Sequence, residues 1–441
     1  MNWIYIAIVT VVGILLRLGF VLTVPNRPIY DFQTYQDIAV NIFYHRGHTY
    51  LGEPIAFQGM GYPTALGYFY RLMGNHDVLT GKMFNVICSS LTLILFLLIL
   101  RRLTDRKSII YPAYTVLALL PNYIAYNNVI GTEVFVTFLF CAVIWLQVSA
   151  LPTYLKYPLL GIFIAGAALT KPFFMAYPVL VALVVWMRTK GLKEALVCLT
   201  VTGLVMAAVM APWTYRNYEK FGRFIPVSYN SGYVLAVNNN DNNVKGGWMP
   251  LDKIAVSQET RNQMNEILQN GQRSEKLAHE LDPLLKEEGK KWILSHPGKF
   301  LELGILRLNG MFFDGAWDIR AWAMNDFKGK NQPWSPQVYE RNMNAFIFFS
   351  GIIITILSTL GLSYVLLNLK PLVQSVFRRS YAASELVLIP TLNLSFFLAV
   401  HFVFEGQARY NFPLLFLLVI GTVVCVEWLR RGNRREITLS A

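Results

Sequence analysis

The sequence predicts an all-α polytopic membrane protein with about ten transmembrane helices, juxtamembrane helices, and a mixed extracytoplasmic segment between helices 7 and 8. Three observations predict it. Hydrophobic residues fill 54% of the 441 positions and charged residues only 15%, more apolar surface than a soluble chain of this length can hide. The apolar residues gather in runs of about 20, enough to cross ~30 Å of hydrocarbon at ~1.5 Å per residue. The basic residues cluster between alternate runs, as loops facing the cytoplasm do.

The spans are placed at 3–24, 81–100, 108–126, 132–150, 157–170, 172–187, 194–212, 344–368, 384–403 and 411–429. The first has no small-residue cleavage site and continues through Arg17, so it reads as a retained helix rather than a signal peptide. Pro172 interrupts the short pair at 157–187. Arg101, Arg102, Arg106 and Lys107 follow the second span; Arg188, Lys190 and Lys193 separate the sixth and seventh; Lys370, Arg378 and Arg379 separate the eighth and ninth; Arg430, Arg431, Arg434 and Arg435 follow the last. With ten spans every cluster falls on one face, which the positive-inside rule makes cytoplasmic. The chain then sits in the cell (inner) membrane with both termini cytoplasmic. Residues 1–212 carry helices 1–7 and a first extracytoplasmic loop at 25–80. Residues 213–343 form the extracytoplasmic segment, and 344–441 hold helices 8–10 and a cytoplasmic basic tail.

The net charge of +13 would suit nucleic acid, but much of the excess lies in those clusters, so topology explains it and no nucleic-acid partner is implied. Cys88, Cys141, Cys198 and Cys425 all lie inside apolar runs and suggest no disulfide framework. The first loop opens with Pro25 and Pro28. It continues as DFQTYQDIAVNIFYHRG, where Tyr35, Ile38, Ala39 and Ile42 recur at helical spacing, which predicts an amphipathic helix on the membrane surface. The second outer segment has a Gly/Asn-rich stretch, NNNDNNVKGGW, and then a charged helical region from about Ser257 to Leu308.

Six elements recur in order between these spans: DFQTYQDIAVNI from Asp31, GYPTALGYFYRLMG, GTEVFVTFLF, LTKPFFMAYPVL, PWTYRNYEKFGRFIPVSYNSG and RYNFPL. On them the chain resembles the GT-C glycosyltransferases, in the lipid-carrier-dependent branch related to bacterial protein O-mannosyltransferases and aminoarabinose transferases. The resemblance implies that a sugar leaves a polyprenyl-phosphate carrier outside the cytoplasm and passes to an acceptor. It implies that Asp31, in the first outer loop, is catalytic. Lys171 stands where many relatives carry Arg, which keeps the charge and removes a planar fork. No cofactor is implied, although some relatives use a divalent metal.

The residues themselves point to the same chemistry. Nucleotide sugars and ATP are not supplied outside the cytoplasm, so a transferase there needs a donor that already stores its energy. A sugar on a lipid phosphate is such a donor. Its leaving group calls for cations and its hydroxyl acceptor for a carboxylate base. Asp31 is the candidate base, with a helix N-cap as the structural alternative. Asp37 is the fallback, otherwise a solvated-face residue. Arg17, Lys171, Arg216 and Arg409 are the candidates for the donor phosphate. A buried Arg17 alternatively snorkels to headgroups, and the other three alternatively anchor span ends. Glu133, Glu405, Tyr229 and Asn230 are further candidates for substrate contact. Glu133 otherwise serves the dipole of the helix it begins, and Glu405 otherwise pairs with Arg409. Asn238, Asn239 and Asn240 either shape a turn or bind sugar hydroxyls. His45 and His48 with Glu53 form a candidate zinc set, opposed by the helix-breaking Gly47. The partners implied are the bilayer, a polyprenyl-phosphate-linked sugar donor and an extracytoplasmic acceptor. The competing function is a polytopic transporter or lipid flippase, which would show paired broken helices at the midplane.

Overall fold

A computed structural model of the chain describes residues 1–269, 274–326, 335–377 and 384–431. The described chain is helical apart from one short antiparallel hairpin. The helices of the first half are α1 (Trp3–Thr23), α2 (Asp31–Phe43), α3 (Gly61–Met73), α4 (Val78–Leu103), α5 (Lys107–Ala118), α6 (Pro121–Ala125), α7 (Thr132–Val148), α8 (Thr153–Thr170), α9 (Tyr177–Thr189) and α10 (Leu192–Phe221). The second segment holds α11 (Ser231–Asn238), α12 (Gln258–Gln269), α13 (Ser274–Lys276), α14 (Asp282–Ser295) and α15 (Pro297–Phe313). The chain closes with α16 (Pro336–Phe377), α17 (Glu385–Val403) and α18 (Leu415–Arg431). The hairpin pairs β1 (Thr49–Tyr50) with β2 (Glu53–Pro54).

Eight of these helical stretches are long and apolar enough to cross a membrane. A ninth is the pair Lys107–Ala118 and Pro121–Asn128, bent by 43°. Pro121 has no N–H to continue the ladder, so the helix stops before it and restarts at it. The tenth predicted place holds α7, whose 17 residues are short for a span and are buried on nearly every side. The protein is thus a polytopic membrane protein, and all ten predicted places carry apolar helix. Two boundaries move. α10 runs through Pro212 to Phe221, and α16 starts at Pro336 instead of near 344. Both helices therefore continue well beyond the apolar run that marks each span.

α4, α7, α8 and α10 pack in sequence, and α16, α17 and α18 form a second group that reaches α5 through α18. One end of the bundle is tied by Arg188, which donates from Nε to Glu385 at 2.6 Å and from Nη1 to the Gln147 carbonyl at 2.6 Å. Among the basic residues taken as topology signals, Arg378, Arg379, Arg434 and Arg435 lie outside the described residues.

At the opposite end the two long inter-helix segments lie on each other. α2 packs on α3 and buries Tyr35, Ile38, Ala39 and Ile42, the face the sequence periodicity marks. The backbone N–H of Tyr229 donates to the Ala56 carbonyl at 3.0 Å, and the Trp213 indole donates to Val227 at 2.9 Å. The second segment has a small core of its own, in which Ala236 and Val237 of α11 meet Met264, Leu281 and Leu285. Asp282 tethers α11 by accepting from the N–H groups of Gly232 and Tyr233, at 2.6 and 3.1 Å. These are two of the donors that a helix start leaves unpaired.

Candidate active site

Asp31 begins α2 directly after Tyr30, which holds a left-handed backbone at φ 51. The reversal leaves the Asp31 carboxylate free of any capping role. Its Oδ1 accepts from Gln58 Nε2 at 2.8 Å, and its Oδ2 lies 3.4 Å from Arg409 Nη2. Asp31 is 41% exposed and Arg409 only 12%, so the carboxylate opens outward from a partly buried cation. Arg409 sits in the tight turn Ala408–Leu414 that leads into α18. Its guanidinium lies 5.3–5.8 Å from the ring centres of Phe32, Trp322 and Tyr410. Such cation–ring contacts are each worth about 0.5–2 kcal/mol, more as water is excluded.

Tyr410 links this pair to a second one. Its hydroxyl donates to Glu405 Oε2 at 2.9 Å, while Gln407 Nε2 donates to Glu405 Oε1 at 2.6 Å. Lys171 Nζ lies 5.0 Å from the Tyr410 ring centre and 4.0 Å from Glu133 Oε1. Lys171 stands at the break between α8 and the short turn Pro172–Ala176, where Pro172 ends the helix. Glu133 lies in the first turn of α7, the placement that suits a helix dipole, yet it is 2% exposed and neither oxygen accepts a hydrogen bond. A buried carboxylate so placed depends on its cation. Gly59 lets the first loop lie on the end of α8, since a Cβ there would collide with the Thr170 carbonyl next to Lys171.

The lining is aromatic and largely protonated. Burial raises the Tyr35 hydroxyl well above its ordinary range, and the Asp31 and Glu133 carboxylates add to that. Tyr233 of α11 is raised by burial and by Glu405 and Asp31, which places the second segment within reach of the same charges. Behind Trp322, the Tyr126 hydroxyl donates to Asp318. Burial pushes that carboxyl up to about 6 against the pull of the Tyr126 bond. Asn26 donates to the Trp322 carbonyl and to Asn325, so the first loop and the second segment close over Arg409 together.

Asp31, Lys171, Arg409, Glu133 and Glu405 are therefore gathered by the fold. The other candidates are not. Arg17 is fully buried in α1, so it neither snorkels nor reaches Asp31. Its Nε donates to Ser89 at 2.8 Å, and its Nη1 donates to the carbonyls of Gly13 and Ala118 at 2.8 and 2.7 Å. Ala118 is the last residue of α5, so Arg17 satisfies a carbonyl freed by the break before Pro121. Arg216 donates to the carbonyls of Ile55 and His48 at 3.1 and 2.7 Å and covers the Trp213 ring. These bonds fasten the first loop and give Arg216 a neighbourhood apart from Asp31. Asp37 accepts from Gln33 at 2.7 Å on the α2 surface. Tyr229 packs between Phe57 and Phe221, and Asn230 accepts from Ser228. Asn238 and Asn240 donate their side-chain amides to carbonyls of the preceding turn, as Asn239 does, and all three are buried.

His48 bonds Thr64 at 2.7 Å, packs edge-on against Trp213, and is held neutral, with its pKa pulled down to about 4 by burial and by Arg216. Among the described residues no three His, Cys, Asp or Glu side chains gather as a metal site. Sequence reasoning missed Gln58, Phe32, Trp322 and Tyr410. Tyr410 lies inside the RYNFPL element and Phe32 inside DFQTYQDIAVNI, so both were open to notice; Gln58 and Trp322 carry no local signal.

The arrangement defines a class by its fold, an all-α polytopic membrane architecture that solved structures share. No protein-family model matches the chain, and no curated protein matches it in sequence. The archaeal oligosaccharyltransferase AglB from Archaeoglobus fulgidus, solved with an inhibitory peptide and a dolichol-phosphate, matches in structure with a TM-score of 0.50 and 12% identity. The match covers 100% of this chain and 52% of that one, so the chain spans about half the length of the oligosaccharyltransferase. The same archaeon's enzyme in the apo form gives a TM-score of 0.51 at 12% identity, over 99% of this chain and 52% of that one. ArnT from Cupriavidus metallidurans, bound to undecaprenyl phosphate, gives 0.46 at 13% identity, over 98% and 79%. At these identities the likeness is one of fold.

Proposed function

We propose that the chain is a membrane glycosyltransferase that moves a sugar, with inversion, from a polyprenyl-phosphate carrier to an extracytoplasmic acceptor in the cell envelope: a glycan, a glycolipid or a protein. The observation that carries this reading is the convergence of an outward-opening carboxylate, Asp31, with the partly buried cations Arg409 and Lys171. They come from the first loop, the entry to α18 and the break after α8. The fold adds support, since the oligosaccharyltransferase that shares it was solved with a dolichol-phosphate. The basic clusters at the other end of the spans support an outward-facing site.

In this reading the acceptor hydroxyl gives its proton to Asp31 as its oxygen attacks the anomeric carbon. The bond from that carbon to the phosphate oxygen breaks, and its electron pair leaves with the phosphate. The departing charge meets Arg409 and Lys171, which are already oriented by rings and by carboxylates. Cations fixed in a water-poor site stabilise developing charge far better than the same cations in water. Gln58 and the Arg409 pair aim the Asp31 carboxylate before substrate arrives.

The test is donor turnover in proteoliposomes. Radiolabelled polyprenyl-phosphate mannose, glucose, galactose, arabinose and an amino sugar are each supplied with isolated cell envelope. Movement of label from the carrier into envelope material supports the reading. Label that crosses the bilayer with its carrier bond intact, with or without envelope, favours the flippase instead and refutes it.

A further inference from the structure

Outside the charged site, Arg307 of α15 is a heavily bonded side chain, and it is fully buried. It faces the ends of two helices at once. Nη1 donates to the Phe402 and Val403 carbonyls in the last turn of α17, at 2.7 and 3.1 Å. Nη2 donates to the Asn238 carbonyl at the end of α11 and to Asn239 Oδ1, at 2.7 and 2.5 Å, and Nε donates to Gly246 at 3.2 Å. Helix ends carry unpaired carbonyls and partial negative charge, which suit a cation. Only a planar fork can serve two such ends together. Burial pulls the guanidinium down to about 10, with Glu405 opposing, so it stays charged at neutral pH.

Beyond α17 comes the turn in which Gln407 bonds Glu405 and from which Arg409 reaches Asp31. That turn lies against Arg307 at Gly406, where a Cβ would collide with the Arg307 carbonyl. His401 Nδ1 donates to the Glu405 carbonyl at 2.7 Å and holds the turn from its other side. On the α11 side, Tyr233 is the residue whose hydroxyl feels Glu405 and Asp31. Arg307 thus holds the end of α17 from which the turn departs and meets the turn itself with its own backbone at Gly406, so the place of the turn follows that of Arg307.

We propose that Arg307 is a positioning residue of the active site: as a shared cap for α17 and α11, it sets the turn that delivers Arg409 to the donor phosphate. The proposal rests on the glycosyltransferase reading only in taking Arg409 as a phosphate ligand. It acts through Arg409, so perturbing the clamp lowers phosphate affinity and does so only while Arg409 is present.

The experiment measures undecaprenyl phosphate binding to the full chain in nanodiscs, with melting temperatures alongside. The variants are Arg307→Lys, Gly406→Ala, Arg409→Gln and the double variant Gly406→Ala/Arg409→Gln. Gly298→Ala on the same helix is the control, since a Cβ there meets nothing within 4 Å. Gly406→Ala keeps every charge, so it remains informative if Arg307→Lys fails to fold. Expected is a loss of about tenfold in affinity for Gly406→Ala, the control unchanged, and no further loss when Gly406→Ala is added to Arg409→Gln. Wild-type affinity in a folded Gly406→Ala variant overturns the proposal. So does a tenfold loss that persists in the Arg409→Gln background, which marks a structural role alone. If the wild type itself does not bind undecaprenyl phosphate, both the phosphate reading and the positioning role built on it fall; binding that Arg409→Gln weakens and the clamp variants do not overturns the positioning role alone.

Discussion

Replacing Asp31 by Asn separates chemistry from structure at this site. The amide oxygen still accepts from Gln58, so the bond at 2.8 Å is kept. The ion pair to Arg409 is lost, but it is a single contact at 3.4 Å on a carboxylate that is 41% exposed. Pairs of that kind are worth about 0–1 kcal/mol, so the melting temperature should move by no more than about 3 °C. Loss of a general base costs about 10²–10⁴ in rate, or ~3–5 kcal/mol of barrier. The two effects differ enough to be told apart in one preparation. Binding of undecaprenyl phosphate should be at least as tight as in the wild type, because Arg409 no longer has a carboxylate competing for it. The assay follows transfer of radiolabelled sugar into envelope material, with a melt and a lipid-phosphate titration on the same sample. Transfer within tenfold of the wild type by a folded Asp31→Asn protein refutes the base assignment.

Three other outcomes are expected. His48 has a folded pKa of about 4 against about 6.5 in the unfolded chain, so its contribution to stability is whole above pH ~6.5. Between those values the unfolded chain binds the extra proton, and stability falls as pH falls, at up to ~1.4 kcal/mol per unit. His48→Gln, which can keep the Thr64 bond, should flatten the melting profile there; parallel profiles would sink the idea. Arg17→Met should leave the Ala118 carbonyl unpaired at a cost of about 1–3 kcal/mol, seen as a lower melting temperature with unchanged lipid-phosphate affinity. A tenfold affinity loss without a stability loss would instead return Arg17 to the donor site. Gly59→Ala should push the loop bearing Gln58 off Thr170 and slow transfer by about 10–100-fold, as small misplacements do, whereas Gly19→Ala, with open space around it, should not.

Much of the fold was legible because the bilayer imposes a length and an apolar composition on each span. Of the five charged residues that the fold gathers, Lys171 and Arg409 stand out as basic residues on the outer face, while Asp31 and Glu133 lie in the elements that carry the resemblance and Glu405 lies beside Arg409. Arg17 shows where that logic stops. Its position inside a span marks it as unusual, but its partner is a carbonyl released by a proline in another helix, 101 positions away. Arg216 lies at a span end like Lys171, yet the hairpin it fastens consists of two residues per strand and has no strong periodicity. Trp322 and Gln58 are invisible for the same reason. One aromatic in a long loop, or one amide, acquires meaning only when distant segments meet. The ends of α10 and α16 were misplaced because hydropathy reports where lipid stops, and these helices go on past it.

The ion pair at the heart of the site joins residues 378 positions apart. During synthesis Asp31 emerges near the start and Arg409 near the finish. At about 5–20 residues per second, roughly 20–75 seconds separate them. Throughout that interval the growing chain has Asp31 in place and no Arg409 on the approach to α18 to pair with it. A fragment cut before Ala408 keeps most of its membrane anchorage and lacks Arg409 altogether. Partly made or clipped copies can occupy the bilayer without the pair that closes the site. The pair can close only after the chain has been made as far as the turn that leads into its last helix.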